Sequence, residues 1–93
     1  MTEPTLNDHV SVPDAVLSRE LDGETVLLNL DTGIYFGLDA VATDMWRAML
    51  ASASLADACG LVDARYDVQP EVLRDDLLEL AKQLLAKGLL QCQ

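Results

Sequence analysis

The stretch VLLNLDTGIYFGL, Val26 to Leu38, decides how the rest of the chain is read. Apolar residues fill both ends, and Asp31, Thr32 and Gly33 sit between them, with Gly33 free to take the left-handed position of a three-residue hairpin loop. The run therefore predicts two antiparallel strands, Thr25 to Leu30 and Ile34 to Leu38. Just upstream, Asp22 and Gly23 form the Asp-Gly pair that favours a two-residue hairpin turn, because such a turn needs positive φ. A strand from Val16 to Leu21 precedes it, with Pro13 suited to a sheet edge or a strand start. Three strands in a meander result, and a meander leaves one unpaired edge on each outer strand.

Downstream of Leu38 the apolar period changes from two to 3.6. Asp39 is placed to cap a first helix carrying Ala42, Met45, Trp46, Met49 and Leu50 on one face. Ser54 and Asp57 resemble a capping box for a second helix, along which Leu55, Ala58, Cys59, Val62 and Tyr66 share a face and Gly60 is a weak point. Pro70 suits the first turn of a third helix and Gly88 a left-handed stop beyond it, which sets that helix at 70–87. Residues 1–9 are polar, contain Pro4 and lack periodicity, and are expected to form a flexible arm before a domain spanning 10–93. The fold class that follows is α+β, a three-stranded antiparallel meander followed by three helices, in a winged helix-turn-helix-like arrangement.

Composition limits what such a domain does. Ninety-three residues, 51% of them hydrophobic, suit one small core. Sixteen acidic against 6 basic residues give a formal charge of −10, a field that repels phosphates and argues against nucleic-acid binding. A winged-helix regulator would need a basic helix, yet Ser54 to Tyr66 holds only Arg65, and 70–87 sets Arg74, Lys82 and Lys87 against Glu71, Asp75, Asp76 and Glu79. The N-terminus has neither the basic start nor the apolar run of a secretory signal, and no apolar run nears the ~20 residues of a membrane helix. A cytoplasmic protein without membrane attachment is expected.

Chemistry-bearing residues are sparse. His9 is the only histidine and lies far in sequence from Cys59 and Cys92, so no Cys-His nucleophile pair, metal site or disulfide framework is suggested. Asp75 and Asp76 are neighbours on a helix and point about 100° apart, which does not suit a carboxylate pair sharing a substrate. No glycine-rich phosphate loop is present. The expectation is a protein that is not an enzyme and needs no cofactor.

The third helix carries more apolar surface than one core face requires. Leu73, Leu77, Leu80 and Leu84 form one stripe, while Arg74, Leu78, Ala81 and Leu85 form a second row about a quarter-turn away. That second row suits either a contact surface or packing against the sheet or a neighbouring helix.

Taken in order, LLNLDTGIYFGLDAVATDMWRAML and DDLLELAKQLLAKGLL resemble the PqqD family, which includes the leader-peptide recognition elements of ribosomally made, modified peptides. The resemblance spans roughly Val10 to Leu90 and rests on the Asp31-Thr32-Gly33 turn, the aromatic third strand, Gly37 with Leu38, Ala42 then Trp46, and Asp76 through Gly88, Leu89 and Leu90. It implies recognition by β-augmentation: a precursor's leader adds as a strand to the third strand, beside the third helix. On that basis Leu38, Trp46, Leu77, Leu80 and Leu84 are expected in the core. Ile34, Tyr35, Phe36 and Gly37 are expected to present the docking edge, and Arg74, Leu78, Ala81 and Leu85 the helical wall. Ordinary cross-strand packing is the competing role for Tyr35 and Phe36, and a solvated charge for Arg74. The implied partners are a precursor leader peptide and a leader peptidase or other modifying enzyme, as in lasso-peptide systems. Alternatives are a PqqD-type chaperone presenting its peptide to a radical-SAM enzyme in quinone cofactor synthesis, and a homodimer that uses the same strand edge.

Overall fold

The computed structural model describes residues 3–92. Its elements follow in the order β1 (Val10–Ser11), β2 (Val16–Leu21), β3 (Glu24–Asn29), β4 (Tyr35–Leu38), α1 (Ala40–Ala51), α2 (Leu55–Asp63), α3 (Pro70–Ala86) and β5 (Gln91–Cys92). β2, β3 and β4 form the antiparallel meander anticipated from the turn chemistry. Asp22 and Gly23 both adopt positive φ, 55° and 81°, the conformation of a type I′ turn, and Leu21 pairs directly with Glu24.

The second turn differs from the three-residue loop expected. The Asn29 amide donates to the Ile34 carbonyl at 2.8 Å, so the loop runs from Leu30 to Gly33. Asn29 organises it: its Oδ1 accepts from the Asp31 and Thr32 amides at 2.9 and 3.2 Å, an Asx-type turn. Its Nδ2 donates to the Gly88 carbonyl at 2.9 Å, just past the end of α3. One buried side chain therefore shapes the β3–β4 hairpin and ties it to a helix 59 positions away. Consequently β3 begins and ends one residue earlier than the expected second strand, and β4 begins at Tyr35 instead of Ile34.

The helices start and stop where their caps stand. Asp39 accepts from the Ala42 amide at 2.8 Å and Ser54 from the Asp57 amide at 3.2 Å. Pro70 occupies the first turn of α3. Gly88, at φ 70°, closes α3 as a Schellman motif: its amide donates to Leu85 and that of Leu89 to Leu84. A Cβ at Gly88 would also lie 3.0 Å from Asn29 Nδ2, so both backbone and neighbour favour glycine there. α2 ends at Asp63, earlier than a stripe reaching Tyr66 implied; the Tyr66 hydroxyl instead donates to the Asp44 carboxylate of α1.

The helices cover one face of the sheet. Leu27 and Leu38 of the sheet, Met45, Trp46 and Met49 of α1, Leu55, Ala58 and Val62 of α2, and Leu73, Leu77 and Leu84 of α3 form the core. All five residues expected there, Leu38, Trp46, Leu77, Leu80 and Leu84, are buried. Leu50, expected on the inner face of α1, is exposed, and Thr43 takes an inner position with its hydroxyl 3.0 Å from that of Thr25. Thr43 also donates to the Leu38 carbonyl at 3.4 Å, so sheet and helix share a buried polar chain with no hydroxyl left over.

The pairing of β1 with β5 brings the two ends of the domain together and had no counterpart in the sequence pattern. The segment expected as a flexible arm is anchored where it is described: the Asp8 and Leu6 carbonyls accept from the Leu55 and Ala56 amides at the start of α2, and Glu3 pairs with Lys82 of α3 at 2.9 Å. Met1 and Thr2 of that arm, and Gln93 of the domain, lie outside the described residues. Among the described residues no helix is long and apolar enough to cross a membrane.

Two stability measurements check these locks. Asn29→Ala leaves the Gly88 carbonyl and two loop amides without their partner and is expected to cost about 2–3 kcal/mol in urea unfolding, with an unchanged m-value. Thr43→Val strands the Thr25 hydroxyl and is expected to cost about 1–2 kcal/mol, whereas Thr25→Val combined with Thr43→Val costs less than the sum of the single changes.

Candidate functional site

The site begins at the edge of β4, which is hydrogen-bonded to β3 on one side and to no strand on the other among the described residues. The Asn29–Ile34 bond sets the phase of the ladder, and antiparallel alternation then directs the backbone groups of Phe36 and Leu38 toward β3. Those of Tyr35 and Gly37 point to the open edge. Gly37 meets nothing within 4 Å of where a Cβ would stand, so the face of the strand is open there. Phe36 and Leu38 face the helices and Tyr35 faces away, exposed. Ile34, also exposed, leads into the strand. The four edge residues expected from the sequence are therefore contiguous and accessible at least in part.

The facing wall is not the row expected. Asp76, Glu79, Leu80 and Gln83 of α3 line an open cleft of ≈ 270 Å³ with Asp39, Val41, Ala42 and Met45, the residues that follow β4 into α1. One turn on, Lys87 holds its Nζ 5.8 Å from the centre of the Phe36 ring, in the range of a cation–π contact. Asp76, Leu80, Gln83 and Lys87 thus form a single row that follows β4, with apolar Val41, Ala42, Met45 and Leu80 at its base.

Arg74, Leu78, Ala81 and Leu85 lie on roughly the opposite flank of the buried stripe, as about 100° per residue requires. Contacts on that flank point toward α2 and the N-terminal segment. Lys82 pairs there with Glu3, whose carboxyl it holds below the usual range. Burial pushes the Cys59 thiol of α2 up, and the nearby Arg74 charge pulls it back. Leu78 and Leu85 are half-buried against the core, Ala81 is fully buried, and Arg74 sits 3.7 Å from Asp75. The expected helical wall is corrected on these grounds: its surplus of apolar residues serves packing, and the wall beside β4 is polar above an apolar base.

Asp39, Val41, Ala42, Met45, Asp76, Glu79, Gln83 and Lys87 lie outside the residues expected from the sequence, because an apolar row on α3 does not include them. The spacing of Asp76, Leu80, Gln83 and Lys87 was available as a signal, but nothing in it tells which flank of α3 meets the sheet. Charge is uneven along the groove, with Asp39, Asp76 and Glu79 toward α1 and Lys87 beside Phe36. The cysteines are free, and among the described residues no group of three His, Cys, Asp or Glu side chains is placed to hold a metal ion.

Comparison with known proteins bears on this geometry. The structure titled TbiB1 in complex with the TbiA(beta) leader peptide is 36% identical, with 86% of this chain and 93% of that one covered and a TM-score of 0.79. Lasso peptide synthetase B1 complexed with the leader peptide has the same fold at 22% identity, a TM-score of 0.80, and coverage of 89% and 98%. No curated protein matches the chain. Residues 24–90 match the model of the family described as coenzyme PQQ synthesis protein D (PqqD), and with the meander, the three helices and the open β4 edge in place, the chain belongs to the PqqD family.

Proposed function

We propose that this protein binds the leader segment of a ribosomally synthesised precursor peptide as an added strand on β4 and delivers it to a modifying enzyme, the leader peptidase of a lasso-peptide pathway. The observation that carries the reading is the unpaired β4 edge beside the cleft formed by α1 and α3. Its weight comes from the 36% identical TbiB1, whose structure holds a leader peptide. Backbone bonds to Tyr35 and Gly37 supply sequence-independent affinity, and the cleft over Met45 and Leu80 receives an alternate side chain. Ile34 and Phe36 complete the edge. The three carboxylates toward α1 favour a basic residue in the leader at that end.

The role is non-catalytic and cytoplasmic: binding places the precursor at the enzyme and raises its effective concentration there. The winged-helix-like layout serves here as a peptide platform, and the charge of −10 supports a peptide ligand over nucleic acid. The name of the matching family favours a second reading, in which the peptide is a quinone precursor presented to a radical-SAM enzyme.

Fluorescence anisotropy with a labelled leader, taken from the precursor encoded beside the gene, tests the site. Gly37→Pro removes an outward amide without touching the β3 ladder and is expected to weaken binding by about tenfold. Gln83→Trp fills the cleft and is expected to do the same, while Lys82→Trp, exposed on the other flank of α3, changes affinity by less than about twofold. Equal effects of the two tryptophans would return the wall to the Leu78 flank, and failure of the wild-type chain to bind any such leader would refute the recognition role.

A further inference from the structure

α1 has a second flank that the groove beside β4 leaves unused. Val41, Ala42 and Met45 turn toward β4, whereas Asp44, Arg47, Ala48 and Ala51 lie roughly a third of a turn round the axis and face α2. With Leu61, Val62 and Arg65 they line an open cleft of ≈ 400 Å³, toward the lower end of the range for small-ligand sites. Ala48 and Val62 are buried and give it an apolar floor, and Leu61 stands exposed on the rim.

Two guanidiniums border that floor. Arg47 of α1 and Arg65, just beyond the end of α2, each hold Nη1 3.5 Å from Asp44 Oδ1, so one carboxylate draws both arginines to the same mouth. The Asp44 side chain is 11% exposed and also accepts from the Tyr66 hydroxyl, whereas those of Arg47 and Arg65 are 48% and 63% exposed. The anion is enclosed and the cations face solvent. In a chain of charge −10, a cleft lined by two open cations and one covered anion is complementary to a negative group. Arg47 is already claimed in part, because Glu20 of β2 takes its Nε and Nη2 at 2.8 and 2.6 Å. Arg65 has no carboxylate other than Asp44 within ion-pair range among the described residues, so most of its fork is open to an incoming acceptor.

We infer that this α1–α2 cleft binds the C-terminal residue of a peptide chain, with the α-carboxylate on Arg65 and an apolar side chain over Ala48 and Val62. A free C-terminal residue carries both groups on one Cα, which suits a cationic rim that directly adjoins an apolar floor. An internal acidic residue brings its carboxylate on a side chain of its own, and the apolar group must come from a neighbour that points elsewhere. The planar carboxylate matches a guanidinium fork through two parallel hydrogen bonds. Glu20 competes with this ligand for Arg47, so its removal frees a second fork. The cleft lies on the flank of α1 away from β4 and is independent of leader recognition.

Titration of the isotope-labelled chain with an acetylated peptide of alanines ending in leucine, as the free acid and as the amide, tests the site by backbone amide shifts. The free acid is expected to shift Ala48, Ala51, Leu61 and Val62 saturably, and the amide to bind at least about tenfold more weakly. Arg65→Gln is expected to weaken binding of the acid by about tenfold, with part regained in Arg65→Lys. Glu20→Gln is expected to tighten it by about threefold. Both Gln substitutions fall on exposed side chains and leave Arg47 and Tyr66 on Asp44, so thermal unfolding stays near wild type. Equal binding of acid and amide overturns the site, as do shifts outside the cleft or an affinity that neither Gln substitution alters. Equal binding of a capped peptide whose only carboxylate is an internal glutamate overturns the C-terminal assignment.

Discussion

The hydrogen bond from Asn29 to the Gly88 carbonyl is the constraint on which the arrangement of the groove depends. It is the point at which the hairpin that makes β4 is held against the end of the helix that faces it. The same side chain folds the β3–β4 loop through its oxygen, so the curvature of the hairpin and its distance from α3 are set together. The Asn29 side chain is buried, which raises the worth of these bonds above that of the same bonds at the surface. Gly88 completes the lock by allowing the left-handed turn that aims its carbonyl at Asn29 and sends Leu89 and Leu90 into the core.

From this lock the functional surfaces follow by exclusion. The inner side of the sheet is filled by the helices, and the Thr25–Thr43 pair fixes β3 to α1 on that side. β4 keeps one edge free, bordered by α1 and by one flank of α3. The outer side of the sheet stays in solvent with an apolar character that the core does not require. An edge strand of this kind is a hazard in a protein with no ligand for it. Here it is short, interrupted by Gly37 and set beside charged residues, features that restrain indiscriminate pairing while leaving room for one extended peptide.

Most of the secondary structure was legible because its signals are local. Asp22-Gly23, Asp39, Ser54, Pro70 and Gly88 each act within a few residues, and each does in the structure what its chemistry requires. The misreadings come from longer range. Leu78 and Leu85 exceed one core stripe, which suits a contact surface and helix packing equally, and the family resemblance implies a groove wall, whereas α2 and the N-terminal segment lie on that flank. Thr43 took a core position that Leu50 was expected to hold, since its partner Thr25 lies on another element. β1 and β5 are two residues each and pair across the whole length of the domain, so no periodicity announces them.

What the sequence determined by itself is the three-stranded meander, the three helices, their order and most of the core, because caps, turns and apolar periods are properties of neighbouring residues. That Ile34 to Gly37 lie on an outer strand belongs to that legible set, but a meander leaves an unpaired side on β2 as well, and only the family resemblance singles out β4. Which flank of α3 faces that strand was decided only by tertiary structure. A helix wheel orders residues around an axis but carries no information about what stands on either side of the buried stripe. That orientation is set by contacts between distant residues, Asn29 with Gly88, Lys87 with Phe36 and Glu3 with Lys82, and it assigns Asp76, Leu80 and Gln83 to the groove and Leu78 to packing.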